Sequence, residues 1–322
     1  MVGLQSLNDG FLQKIIENKS RVYEVYFSWG DFPSGRSDDA FRDGLIEWEM
    51  QEWQVSAIKK LSEEGISLNL LLNANCYGSD SQSRAFFEKI GSHLDYIGTN
   101  YSLKSVTTTS PLIAKFIKNN FEGIEVRASV NMEIGTVEAM EYLSPYFDSY
   151  YMKRELNRDF AVIKKLNLWC GKEGKKLFML ANSGCLNNCP ARNFHDNLVS
   201  HEAEIAKMDN AYNFIGLCRE FLSDEQNYSK LIEYTNFVRP EDMEKYGEYF
   251  SAAKLATRVH KYPEAVLESY INGRYSGDML RLLEPSYSIY PYVIENGRPL
   301  KLKKINTDLY MGGTDNDIKQ AH

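Results

Sequence analysis

With 322 residues, 43% of them hydrophobic, the chain has enough apolar content to bury a full core and the length of one α/β barrel with a tail. A net charge of −7 argues against a generally basic nucleic-acid surface, although a local basic patch stays open. Five cysteines, an odd number, are too few for a secreted disulfide scaffold and suit a reducing cytoplasm, the expected location. No apolar run reaches the about 18 residues of a spanning helix, so no membrane partner is expected. The segment Met1 to Asn18 interrupts its apolar residues with Asp9, Lys14 and Glu17 and lacks a signal-peptide core.

Along the chain, short apolar runs alternate with amphipathic stretches. Strands are expected at 21–28, 67–73, 94–99, 123–130, 149–153, 176–182, 235–239 and 252–257. Helices are expected at 46–64, 83–93, 110–120, 136–144, 158–171 and 240–247, with the segment 262–273 after the last strand. Eight strands with helices between them match a (β/α)8 TIM-type barrel; a doubly wound open sheet is the alternative. The barrel is expected to span residues 1–284 and to include a cysteine loop. Residues 285–322, rich in Tyr, Pro and Gly, read as a short C-terminal extension with a polar tail from Gly312 to His322.

Several expected strands end in polar or small residues: Ser28-Trp-Gly30, Asn73-Ala-Asn-Cys76, Ser129-Val-Asn131, Arg154-Glu155 and Asn182-Ser-Gly-Cys185. In a barrel these points converge on one mouth. Asn and Ser there also serve to cap the following helices. The run Cys185-Leu-Asn-Asn-Cys189-Pro190 is the most telling. Three intervening residues let the loop fold back so that both sulfurs face one point, and thiolates held so suit an iron–sulfur cluster or zinc. Cys218 precedes the expected seventh strand and reaches the same rim. The fourth ligand is Cys76 or Cys170. Cys76 directly follows a strand, whereas Cys170 sits near a helix end and reads as a buried thiol. Of the two, Cys76 is favoured as a ligand. Zinc on Cys185, Cys189, His195 and His201 is the alternative, against which the two histidines stand wider apart than usual. Arg192 occupies the place where a radical-SAM motif needs its third cysteine.

Four stretches, in order, carry a resemblance: Glu125 to Met132, Tyr150 to Asn157 with its Arg-Glu-Leu, Ala181 to Arg192 with the cysteines, and Phe237 to Met243 followed by Ala253 to Arg258. Together the chain resembles the collagenase-like peptidase family U32. The resemblance implies a barrel-like core and, in many members, a 4Fe-4S cluster on four cysteines, which here would be Cys76, Cys185, Cys189 and Cys218. Members include collagenase-like peptidases and proteins that support oxygen-independent hydroxylation of ubiquinone precursors or RNA bases. Ala256-Thr257 replaces the family's Glu-Gly, and the cysteines are more closely spaced than usual, which marks a divergent subgroup.

Arg154 and Glu155 are expected to form an ion pair in the mouth, or simply to open a helix. Lys254 and Arg258 would add positive charge beside the cluster, suited to a carboxylate, with Arg36 as a further contributor. His195 is expected to hydrogen-bond near the cluster or substrate. Trp29, Tyr77 and Tyr101 are candidates for a pocket lining. No Ser-His-Asp order, HExxH, phosphate loop or dinucleotide fingerprint is present. The expectation is an iron–sulfur enzyme that supports an oxygen-independent, hydroxylation-type modification of a small molecule, nucleobase or peptide, with a modified base among the substrates. The alternatives are a peptidase and a partner-binding protein with a structural metal site.

Overall fold

The computed structural model describes residues 1–30, 32–35, 47–205, 207–209, 212, 214–287, 292–297 and 300–304. Eight strands run parallel in chain order: β1 (Val2–Gly3), β2 (Val25–Phe27), β3 (Leu68–Leu72), β4 (Leu103–Thr108), β5 (Glu125–Ala128), β6 (Ser149–Tyr151), β7 (Lys176–Leu180) and β8 (Ala252–Lys254). A parallel bridge between Val2 and Leu255 joins the first strand to the last, and the Leu255 amide donates to the Met1 carbonyl at 2.9 Å. The sheet therefore closes. This is the expected (β/α)8 barrel, and closure excludes the open doubly wound sheet.

Helices follow the strands: α1 (Asp9–Glu17), α2 (Trp48–Glu63), α3 (Arg84–Asn100), α4 (Pro111–Asn120), α5 (Val137–Leu143) and α6 (Phe160–Lys172). Each turns an apolar stripe to the barrel, such as Ile90, Leu94 and Ile97 of α3. Side-chain caps start several of them: Asn8, Ser83, Ser110, Thr136 and Asp159 each accept a backbone amide of the first turn. The β7-to-β8 crossover is the elaborated one. It carries α7 (Arg192–Ser200) and the short helices α8 (Glu202–Ile205), α9 (Leu217–Leu222), α10 (Glu225–Tyr228) and α11 (Leu231–Tyr234). After β8 come α12 (Pro263–Asn272) and an antiparallel hairpin of β9 (Tyr292–Glu295) and β10 (Lys301–Lys304).

Four element expectations need correction. Residues 94–99 are helical, inside α3, because Ile90, Leu94 and Ile97 recur at helical spacing. Val2–Gly3 and Leu103–Thr108 are strands that the apolar pattern does not announce. Residues 235–239 form no strand beyond a single antiparallel bridge from Thr235 to Leu186. The loop cysteines thus follow the third and seventh strands.

The barrel interior is polar at its floor. Arg127 of β5 is fully buried and paired with Glu24 and with Glu125, the latter at 2.7 Å. Ser105 donates to Glu24 at 3.0 Å, Asn69 to Ser105 at 2.6 Å and Thr107 to Asn69 at 3.0 Å. Ser149 donates to Glu125 at 2.6 Å, and Lys176 pairs with the same carboxylate at 2.6 Å. Five strands, β3 to β7, and Glu24 just before β2 are tied together in this way. A buried charge is tolerable only when paired and hydrogen-bonded, and the Arg127 guanidinium meets that condition.

Candidate functional site

The cysteine loop begins where β7 leaves the barrel. The Asn236 backbone and side-chain amides donate to the Cys185 carbonyl at 3.1 and 2.9 Å, fixing the start of the loop. Asn188 takes a left-handed conformation (φ 54°), which folds the chain back between the two cysteines. Cys218 opens α9 after Gly216, itself at φ 87°. A Cβ on Gly216 would stand 3.3 Å from the Cys218 sulfur and 4.0 Å from the His195 ring. Burial raises the Cys218 pKa, and Cys185 and Cys189 raise it further, while a hydrogen bond with Tyr287 works the other way. Cys185, Cys189 and Cys218 therefore stand together, with His195 at their side.

The C-terminal segment completes this corner. Gly184 donates its amide to the Glu284 carbonyl at 2.7 Å, and Glu284 returns one to Asn182 at 2.9 Å. These contacts straddle the expected domain boundary at residue 284 and bring Tyr287 to Cys218. Sequence reasoning missed Tyr287; nothing in its local pattern ties it to the loop.

Cys76 and Cys170 sit elsewhere. Cys170 is buried in α6, 3.9 Å from the Met140 sulfur, and burial pushes its thiol up to about 12. The Gly78 amide and His201 lower the Cys76 thiol pKa, and the His201 ring lies 3.0 Å from a Glu204 carboxylate oxygen. His201 is thus engaged with Cys76 and Glu204.

Arg154 and Glu155 do not pair with each other. Glu155 forms a buried ion pair with Arg192 at 2.6 Å, which pins the start of α7. Arg154 points its Nη1 at the Cys185 sulfur, 3.6 Å away, and lies 3.8 Å from Asp196. Its Nε and Nη2 are buried without a hydrogen-bond partner among the described residues. Lys254 and Arg258 join Arg154, Asn73 and Asn131 around a cavity of about 80 Å³ at the barrel mouth. The Lys254 ammonium lies over the Tyr26 ring at 4.0 Å and the Tyr151 ring at 5.3 Å. Burial, aided by Arg258, lowers its pKa to about 7. Arg258 donates to Ser34 at 3.1 Å. Arg36 lies outside the described residues.

Tyr77 lines a separate cleft beside Cys76, whereas Trp29 and Tyr101 both pack against Tyr96 of α3. A further cleft, of about 420 Å³, opens at the opposite end of the barrel among Val2, Arg21 and Tyr270, and carries no thiol.

The donor set can be tested against the expected cluster. Three soft thiols and the Arg154 guanidinium share this corner. Among the described residues no group of three or more His, Cys, Asp or Glu side chains is drawn tight enough to hold a single metal ion. A cubane cluster takes one thiolate per iron, so its ligands stand farther apart than those of one ion.

No family model matches the chain. It is 26% identical over 289 residues to an uncharacterized protease, MJ1657, of Methanocaldococcus jannaschii, covering 86% of this chain and 80% of that protein. The solved structure of the U32 peptidase Mk0906 superposes with a TM-score of 0.53 at 16% identity, covering 66% of this chain and 81% of that one. No helix among the described residues is long and apolar enough to cross a membrane. The ordered motifs stand on the barrel that they imply, both similarities run over most of the chain, and the chain is similar to the U32 peptidases in sequence order and fold.

Proposed function

We propose that the barrel mouth is the active site of an iron–sulfur enzyme that modifies a substrate bearing a carboxylate or a similar anionic group. The convergence of Cys185, Cys189 and Cys218 next to Arg154 is the observation that carries this reading. These three thiolates would hold a 4Fe-4S cluster, which supplies electron transfer or an open iron as Lewis acid. The chain's own residues do the rest. Arg154, Lys254 and Arg258 surround the cavity and supply positive charge, which suits an anionic group of carboxylate size. Lys254, held near neutrality by burial, takes up or gives up a proton there at physiological pH. His195 borders the thiol corner and excludes water from it together with Phe214, whose ring lies 5.7 Å away. The M. jannaschii relative is named a protease, which favours a peptide as the molecule whose carboxylate enters the cavity.

The test is anaerobic purification with iron, acid-labile sulfide and zinc assays on the wild type and on Cys185→Ala. About four irons and four sulfides per chain are expected in the wild type and a loss of most of both in the variant. Zinc, or no metal after anaerobic reconstitution, would overturn the reading.

A further inference from the structure

Among the described residues, Lys254 is the lysine that the fold buries, and it is buried at the wall of a cavity. Its place follows from β8. The Ala181 amide donates to the Lys254 carbonyl at 3.0 Å, and the strand sets Lys254 beside Leu180 of β7. The side chain thus enters the barrel at the C-terminal end of the last strand, the end at which barrels carry their chemistry. The charged groups that act on it most are Arg258, Glu24, Arg127 and Arg154, and Glu24 is itself paired with Arg127. Glu284 also lines the cavity, so a molecule inside it faces three cations and one carboxylate.

Burial and the Arg258 guanidinium hold the amine at a pKa of about 7, which leaves about half of it as free base at neutral pH. An ordinary lysine, at about 10.4, is free base there to only about one part in 2,500. A desolvated lysine beside another cation is the form in which this side chain attacks a carbonyl carbon. The rest of the wall suits a carbonyl compound that carries a negative charge. Arg154 and Arg258 offer planar forks to a carboxylate. Asn73 and Asn131 bring their side-chain amide nitrogens near one point, since a Cβ on Gly35 would stand 2.9 Å from each. Two amide donors so placed suit a carbonyl oxygen or the hydroxyl it becomes. At about 80 Å³ the cavity holds only a few heavy atoms, about three waters' worth of liquid.

We propose that Lys254 forms an imine with a small 2-oxo acid whose carboxylate is held by Arg154 and Arg258. The free amine gives its electron pair to the keto carbon, and the C–N bond forms as the carbonyl pair moves to oxygen. A proton passes from nitrogen to that oxygen, giving a carbinolamine. A proton from solvent then joins the hydroxyl, the C–O bond breaks and water leaves as the nitrogen pair completes a protonated C=N bond. Nothing is oxidised or reduced. The cation stays over the Tyr26 ring, and the carboxylate of the bound acid supplies its counter-charge. The imine draws electrons from the neighbouring carbon and so loosens a C–H bond there. The inference rests on the anion reading of the mouth, whose substrate class it names, and uses no step of the cluster.

The experiment incubates the full chain, purified anaerobically, with pyruvate and sodium cyanoborohydride at pH 7. The hydride reduces an imine to a stable amine, and peptide mass spectrometry locates the carboxyethyl group. Lys254 is expected to be labelled at least about a hundredfold faster than the exposed Lys59 and Lys245, as its larger free-amine fraction requires. With methyl pyruvate, which keeps the keto group and lacks the charge, that ratio is expected to fall at least about tenfold. The fast phase is expected to vanish in Lys254→Met and in Lys254→Arg, while slow labelling of exposed lysines continues. Labelling of Lys254 no faster than that of the exposed lysines would overturn the inference, as would an equal ratio with the ester. If iron is bound and the fast phase is absent, the inference fails and the cluster reading stands. Loss of iron in Cys185→Ala with the fast phase intact supports the inference and bears on the cluster alone.

Discussion

Lys254 shows how one residue is kept unstable for use. Its ammonium is buried over two tyrosine rings, and among the described residues no carboxylate pairs with it. Its folded pKa of about 7 lies well below the about 10.4 of an unfolded lysine. Between these values the unfolded chain holds a proton that the folded chain has shed. Stability therefore rises as pH climbs from about 7 to about 10, and below 7 the full cost of the buried charge is present. Lys254→Met should raise stability at pH 7 by about 1–4 kcal/mol, the range seen when buried ionic groups give way to apolar ones. It should also flatten the rise above pH 7. Urea midpoints at pH 7 and 9.5 check both; a variant less stable than the wild type at pH 7 would show that the ammonium is held by the fold, not strained by it. Sequence position alone marked Lys254 and Arg258 as mouth residues, since both leave the last strand. It could not reveal that Glu155 turns away to Arg192, because the partner lies 37 positions on, beyond a loop, and only the barrel brings them together. Cys76 was visible as a thiol after a strand. Its engagement with His201 was not, although His201 and Glu204 at one-turn spacing are a sign that the two side chains meet.

At the scale of elements, the strands that escaped the sequence did so for a physical reason. The inner face of β4 offers Ser105 and Thr107 to Asn69 and Glu24, so Leu103–Thr108 lacks the apolar alternation of a half-buried strand. Residues 94–99 misled in the opposite sense: an apolar run inside a long helix looks like a strand unless its spacing is counted. The cysteine loop and the C-terminal segment form an element pair that no local pattern announces. Gly184 is its hinge point. A Cβ there would collide with the Pro285 carbonyl oxygen and press the Tyr287 ring at 3.3 Å. Backbone atoms cannot swing aside as a flexible side chain does. Gly184→Ala should therefore push the segment 284–287 off the loop, cost about 1–3 kcal/mol and free the Cys218 thiol from Tyr287. Thermal unfolding and limited proteolysis after residue 284 test this. An unchanged cleavage pattern with an unchanged midpoint would mean that the two elements are not coupled.

At the scale of the whole molecule, the barrel joins two regions of different character: a charged floor closed by its own hydrogen bonds and a charged mouth that lines a cavity. The floor network spans five strands and the residue before β2 and has Arg127 at its centre, which makes it a barrel-wide brace rather than a local pair. Glu125 is the member whose titration exposes that role. Burial alone would raise its pKa, but Arg127, Lys176 and Ser149 outweigh burial and hold it at about 2. The folded value lies below the unfolded one, so the contribution is complete above the ordinary carboxylate pKa. It is lost as pH falls from about 4.5 through 2, because the unfolded chain takes up its proton first. The shift corresponds to about 3 kcal/mol. The wild type should accordingly keep a flat urea midpoint from pH 7 to 5 and lose stability steeply below pH 4.5. Glu125→Gln should begin less stable at pH 7, by about 3 kcal/mol, and lose less on acidification, because its amide has no proton to take up. Chemical denaturation of both proteins at pH 7, 4.5 and 3 decides the matter. Parallel declines in the two would place the acid lability outside the floor and leave the barrel held chiefly by its apolar shell of helices.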